Sequence, residues 1–309
     1  MKIARPNEPP ARMEMPELKQ GAFSLARIAA LTGNTFTGLI RLRAFYFLLL
    51  FALLLIGSSI FFAELTFQEE FQILKDVSLG AISLFSSLLA IVASAQLIPR
   101  DLEERTIYSI LAKPVRRYEY LIGKLLGVLL LLALSIVAMS ALFLGLLFVR
   151  EQAVIDATIR ASAALPLEQT DAAVRAVKAA AFNTSLLPGI VLIYLKAALL
   201  ASLALFISTF ATSSLFTIVV MVFIYFIGHL QATARAYWFQ QHGAGCLSHW
   251  CLGLVALLFP DLGIFNLVDD IVIGAPIPLA LFARTALLGC IYVSVYLCFA
   301  WIAFSGKEV

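Results

Sequence analysis

Few side chains in this 309-residue chain are equipped to do chemistry, and they sit in four places. Adjacent carboxylates, Glu103 and Glu104, lie within RDLEERTIYSILAKPVRRYEYLIGKLLG (Arg100 to Gly127), a stretch that carries ten charged residues. Two cations, Lys196 and Arg284, stand inside otherwise apolar runs. His242, Cys246, His249 and Cys251 fall within ten residues, with Gly243 and Gly245 between them, and Cys290 and Cys298 lie farther on. Paired glutamates can serve acid–base or metal chemistry only with converging partners. None of the first four apolar runs contains a histidine, so no catalytic role is assigned to them. Sulfur and imidazole at His242, Cys246, His249 and Cys251 could hold copper or zinc, but the spacing matches no established site and no metal is assigned. A Cys246–Cys251 disulfide and plain loop residues are the competing readings. The sequence contains no CxxC pair and no GxxxxGK[ST] phosphate loop, so ATP hydrolysis by that route is excluded.

The elements that must position these residues are set by composition. The chain is 62% hydrophobic and 13% charged, with 24 Phe and a mean hydropathy of +0.97. That is far more apolar than a soluble domain, and several apolar runs exceed the length a bilayer needs. The class is therefore an all-α polytopic membrane protein. The spans expected are Phe45 to Ala63, Val77 to Ile98, Leu121 to Val149, Leu186 to Phe210, a fifth beginning at Leu215 to Leu230, and Leu279 to Phe304. Residues 1–23, with Pro6, Pro9, Pro10 and Pro16 and no apolar leader, read as a cytoplasmic tail. Residues 24–43 (SLARIAALTGNTFTGLIRLR) place Leu25, Ile28, Leu31, Phe36, Leu39 and Ile40 near helical spacing among Arg27, Arg41 and Arg43. That pattern predicts an amphipathic helix lying in the interface, a solvated helix packed on another domain being the alternative. The outer segment 150–185 has four basic and four acidic residues and is expected to form two short helices divided by Pro166, with Thr170 or Asp171 capping the second. An outer segment at 246–270 contains a ten-residue apolar run, Trp250 to Phe259, too short to span and suited to a re-entrant helix. Residues 305–309 are a tail.

Lys and Arg distribution orients the chain. With the N-terminus inside, the inner side holds seven before the first span, six in Arg100 to Lys124 and one in the tail, against one, four and one outside. Fourteen against six places both termini and the central stretch in the cytoplasm. Lys196, nine residues into its span, either snorkels outward, belongs to a helix that starts slightly later, or serves a pathway, and Arg284 is close enough to its helix end to snorkel. Nothing in the charge pattern points to nucleic acid.

In the central stretch, Pro99 suits the first position of a helix, and Asp101, Glu103 and Glu104 put negative charge where a helix dipole favours it. Asp101 and Arg105 form an i,i+4 pair, while Ile107, Ile110 and Leu111 make an apolar face. Pro114 should stop this helix at Lys113, and Val115 onward should begin the helix of the third span. The expected product is a short surface helix joined by a proline elbow to a membrane helix.

The run Glu103-Glu104-Arg105-Thr106, Leu111-Ala112-Lys113-Pro114-Val115, Arg117, Gly123-Lys124 and Gly127 resembles the signature between the second and third helices of ABC-2-type permease subunits, and is similar to the branch named for multicopper-enzyme maturation. Asn34-Thr35-Phe36 with Ile40-Arg41-Leu42-Arg43 is similar to that family's elbow helix, Ser208-Thr209 to its turn after the fourth helix, and Pro260, Phe265 and Asp269 to its outer loop. Gly38 stands where the elbow often has an acid, and the outer segment is longer than in the simplest members. The resemblance implies six transmembrane helices preceded by the elbow at 24–43 and a coupling helix within segment 99–124. It implies that Asp101, Glu103, Glu104, Arg105, Thr106, Leu111, Pro114, Arg117, Gly123 and Lys124 couple the permease to a separate ATP-binding cassette ATPase. The chain itself would bind no cofactor, ATP and Mg being held by that partner. A second permease chain, identical or different, would complete the pathway in a bacterial cytoplasmic membrane, and export is the expected direction. A membrane scaffold that grips a cytoplasmic partner through 100–124 without moving a substrate is the alternative, and a membrane enzyme ranks behind it.

Overall fold

The computed structural model describes residues 25–64, 70–103, 116–161, 167–211, 213–242, 260–266, 268–274 and 277–306. Among them the chain is helical with short connections and contains no strand. The helices are α1 (Leu25–Ile40), α2 (Arg43–Glu64), α3 (Glu70–Ala95), α4 (Leu97–Glu103), α5 (Arg117–Ala161), α6 (Leu167–Ala181), α7 (Leu186–Ser208), α8 (Ser214–His242), α9 (Val268–Ile273) and α10 (Leu279–Ser305), with a 3₁₀ turn at Leu262–Phe265 before α9. Six stretches, on α2, α3, α5, α7, α8 and α10, are long and apolar enough to cross a membrane, as the hydropathy runs predict.

The helices α3 and α7 form the centre. Their most apolar windows are 67% and 72% buried, against 22% for α2 and α10 and 28% for α8. The composition of α3 explains its place: Ser78, Ser83, Ser86, Ser87 and Ser94 are all buried along it, and small side chains let a neighbouring membrane helix approach closely. Large exposed apolar residues such as Phe47, Phe61, Phe223 and Phe226 lie on the peripheral helices, where lipid rather than water would meet them.

Helix boundaries depart from the hydropathy reading in an instructive way. The α3 helix begins at Glu70, a turn or more before Val77, and α5 continues through Arg150 to Ala161, so the first short helix expected in 150–185 is the end of the third span's own helix. Polar residues mark where a bilayer ends, but REQAVIDATIRA contains no helix breaker and simply goes on. The second helix of that segment, α6, starts at Leu167, which puts Thr170 and Asp171 inside it rather than at its cap. The fifth span, expected to begin with Leu215 to Leu230, belongs to α8, which runs from Ser214 to His242. Pro99 occupies the third position of α4, not the first. Its ring cannot coexist with a regular carbonyl four residues earlier, and that residue, Ala95, is the last of α3; the break at Gln96 follows.

In the segment 260–273 the side chains of Leu262, Phe265, Val268 and Ile271 are buried in the bundle. Asp261 caps the 3₁₀ turn by accepting a hydrogen bond from Gly263 N at 3.0 Å. The turn's Leu262 lies so near Gly228 that an added Cβ would be 2.8 Å from it, and Phe265 stands 3.0 Å from the corresponding position of Gly289. The apolar run at 250–259 lies outside the described residues.

Candidate functional site

The end of the bundle that carries the central charged stretch is organised around one carboxylate. Asp101, in the last turn of α4, receives Lys124 Nζ at 2.6 Å and the Tyr120 hydroxyl at 2.5 Å, both on Oδ2. Those two partners are one helical turn apart on α5, so they face α4 together. Their side chains pack as well as bond. Tyr120 is buried and stacked on Phe304 at 5.7 Å between ring centroids, and Lys124 Nζ lies 5.5 Å from the Tyr120 ring centre. A charge-assisted hydrogen bond and an ion pair on the same oxygen form a strong, directional contact.

Neighbouring residues fasten the start of α5 to two more helices. Glu119 is fully buried, reaches back to Arg116 N at 3.4 Å in the manner of a capping box, and pairs with Arg27 of α1 at 3.7 Å. Arg117 Nη1 donates to the carbonyls of Phe304 (3.0 Å) and Ser305 (2.6 Å), so a cation caps the C-terminus of α10. The α1 helix then lies directly on α5 because Gly123 and Gly127 leave no side chain in the way. A Cβ at Gly123 would stand 2.7 Å from Leu31 Cβ, and one at Gly127 2.6 Å from Thr35 Cβ. Glycines four apart form a flat strip on α5, against which Ile28, Thr32, Thr35 and Leu39 of α1 are buried. This stripe differs from the predicted face: Leu25 is 72% exposed and two threonines take core positions. Phe36 packs against the core, whereas Arg41 and Arg43 are exposed at the joint with α2.

A second polar site lies deep in the bundle. Lys196 is the eleventh residue of the 23 in α7 and is 1% exposed, so it does not snorkel. Its Nζ donates to Ser83 Oγ of α3 at 2.5 Å, and no carboxylate among the described residues forms an ion pair with it. Tyr225 of α8 lies beside Ser87, one turn along α3, and its ring is tilted against that of His229 at 4.3 Å between centroids. His229 Nδ1 is within hydrogen-bond distance of the Tyr225 carbonyl oxygen, at 3.0 Å, and the residue lies near Lys196 and Asp261. Arg284, by contrast, is exposed near the start of α10.

At the opposite end two contacts tie the helices together. Lys75, buried in α3, donates to the Ala180 carbonyl at the end of α6 at 2.6 Å, and Arg150 of α5 pairs with Glu70 of α3 at 3.0 Å.

Of the residues singled out in the sequence, Asp101, Arg117, Gly123 and Lys124 are brought together around one base. Glu104, Arg105, Thr106, Leu111 and Pro114 lie outside the described residues, as does the side chain of Glu103. So do Cys246, His249 and Cys251 and the side chain of His242; among the described residues no His, Cys, Asp and Glu cluster could hold a metal. Sequence reading passed over Tyr120, Glu119 and Arg27. The spacing of Tyr120 to Lys124 and of Glu119 three residues past Arg116 were the available signals.

Residues 41–309 match the family described as ABC-2 family transporter protein, which takes in every span from α2 to the last helix. No curated protein matches the chain.

Proposed function

The chain belongs to the ABC-2 transporter family, and from that premise we propose that it is a permease subunit powered by a separate ATP-binding cassette ATPase that docks on the 99–124 segment. The observation that carries this reading is the base just described. The described residues on either side of that segment, up to Glu103 and from Arg116, are fastened to one body by the Asp101, Tyr120 and Lys124 contacts and by the Arg27–Glu119 and Arg117–α10 contacts. A docking element set on so rigid a base transmits displacement to α3, α5 and α10 instead of absorbing it. The chain brings no phosphate loop of its own. ATP and Mg belong to the partner.

In this reading α1 is the elbow helix at the cytoplasmic interface, both termini face the cytoplasm, and a second permease chain completes the pathway in the cytoplasmic membrane. Export is the direction proposed. Lys196, a cation held at mid-depth on the central helix, is the pathway residue proposed, since charge in that position is costly without a use. The test separates docking from folding. Glu103→Lys with Glu104→Lys changes the charge of the proposed docking segment and leaves Asp101, Tyr120 and Lys124 as they are. Expected are an unchanged melting temperature, less ATPase co-purifying, and loss of substrate-stimulated ATP hydrolysis in the reconstituted complex. Normal co-purification together with normal coupled hydrolysis would sink the proposal.

A further inference from the structure

Between α1, the α3–α4 break and α5 lies a cleft of about 170 Å³ that none of the contacts above fills. One wall is polar: Asn34 and Thr35 from α1, Gln96 at the break, Arg100 from α4 and Lys124 from α5. The other is apolar, made by Leu39, Leu42 and Leu97. Asp101 also borders it, so two cations and one carboxylate leave the lining with a formal charge of +1. Thr35 is 5% exposed, and its hydroxyl has no hydrogen-bond partner. A buried hydroxyl without a partner costs free energy unless something supplies one.

The position of the cleft decides what that something is. Leu42 immediately precedes α2, the first membrane-crossing helix, so the cleft lies at the depth where apolar spans begin. Phosphate headgroups occupy that depth in a bilayer, and basic pockets between membrane helices suit them. Donors, a net positive charge and a leucine wall in one cleft match an amphiphile with an anionic head. We infer that the cleft binds the phosphodiester headgroup of an anionic membrane phospholipid, which wedges between α1 and the α4–α5 base. Arg100 and Lys124 meet the phosphate, Asn34, Thr35 and Gln96 donate or accept around it, and the leucines receive the glycerol end and first methylenes. The site is independent of whatever substrate the transporter moves.

Gly38 provides the test. It lines the cleft, and a Cβ built there meets nothing within 4 Å, as is also true of Gly33, one turn earlier on α1 and away from the cleft. Gly38→Phe therefore fills the cleft, and Gly33→Phe is its control on the same helix. The full chain, extracted in mild detergent, would be examined by native mass spectrometry. Wild type and Gly33→Phe should retain one phospholipid per chain, and Gly38→Phe should retain roughly tenfold less. After delipidation, phosphatidylglycerol should raise the melting temperature of wild type, with phosphatidylcholine and inorganic phosphate giving little or no rise. If Gly38→Phe does not fold, Arg100→Gln replaces it and should remove the preference for phosphatidylglycerol over phosphatidylcholine. Equal lipid retention by Gly38→Phe, an undiminished preference in Arg100→Gln, or inorganic phosphate acting as well as the lipid would each overturn the inference.

Discussion

Asp101 and Lys196 are both ionisable groups packed into the fold, the first with 13% of its side chain exposed and the second with 1% of the residue, and the fold treats them differently. Asp101 stands at the end of the bundle and is met on one oxygen by an ammonium and a phenol. Lys196 is on the central helix and has a single serine hydroxyl for its three donors. The first arrangement is what a joint requires: several helices converge on one charge, and the geometry has no second solution nearby. The second is what a joint would avoid, because an ammonium in a low-dielectric interior repays its desolvation only with a counter-charge and full hydrogen bonding. One site is explained by what it holds together. The other needs an explanation from outside the resting fold, and the pathway role proposed above would supply it.

The largest expected effect comes from breaking the satisfied site. Asp101→Ala removes the carboxylate to which Lys124 and the Tyr120 hydroxyl both donate and leaves the buried ammonium without its counter-charge, which should cost about 3–5 kcal/mol in thermal or denaturant unfolding of the detergent-solubilised chain. Adding Lys124→Met should recover most of that loss, since an uncharged pair of similar volume carries no desolvation cost. A single-variant cost below about 1 kcal/mol would mean that the Asp101 site is no better anchored than an exposed pair, and the contrast with Lys196 would fail.

Next is the strip that seats α1 on the same base. Gly127→Leu places side-chain atoms where Thr35 Cβ would be 2.6 Å from the first of them, and the Thr32 carbonyl 3.1 Å. Neither neighbour is the movable tip of a long side chain, so the helices must part, at about 1–3 kcal/mol. Protease sensitivity confined to α1, with α7 and α3 still protected, would show that this end opens as a unit. Smaller again is Arg117→Gln, which removes a cation from the end of α10 and weakens two hydrogen bonds to its last carbonyls. About 1 kcal/mol is expected, read as faster hydrogen exchange over the last turn of α10.

How legible this was in the sequence follows from which interactions are local. Runs of apolar residues gave the number and order of the six spans, because length and hydropathy are properties of a single segment. Where helices outlast the bilayer, as α5 does to Ala161, hydropathy stops before the hydrogen-bond ladder does. Helical spacing pairs Asp101 with Arg105; Arg105 is outside the described residues, and the partners observed, Tyr120 and Lys124, are nineteen or more positions away. Only the return of the chain from α4 into α5 brings them together, and no periodicity announces that. Glycines 123 and 127 were noticed as part of a signature, but their use as a seat for α1 requires knowing that Leu31 and Thr35 lie against them. Lys196 was visible as a charge in an apolar run. That it stays buried instead of snorkelling depends on Ser83 and on the burial of α7 at the bundle centre, which is tertiary information.

The smallest expected change in stability is at Lys196, and it sharpens the comparison most. Lys196→Met keeps the length and apolar stem of the side chain and removes a charge that one serine answers incompletely. Its effect on unfolding should be within about 1 kcal/mol of zero, of either sign, against the several expected for Asp101→Ala. Ser83 should then donate to the carbonyl one helical turn back on α3, as Ser87 donates to the Ser83 carbonyl at 2.7 Å. Transport should respond in the opposite order: substrate-stimulated ATP hydrolysis by the complex should be lost in Lys196→Met while basal hydrolysis and ATPase co-purification persist. Lys196→Arg tests geometry against charge, since a guanidinium keeps the positive charge but cannot fit where a single ammonium is 1% exposed. A strongly destabilised Lys196→Met with unimpaired coupling would make this lysine a structural residue like Asp101, and the division of the bundle into a satisfied joint and an unsatisfied centre would have to be abandoned.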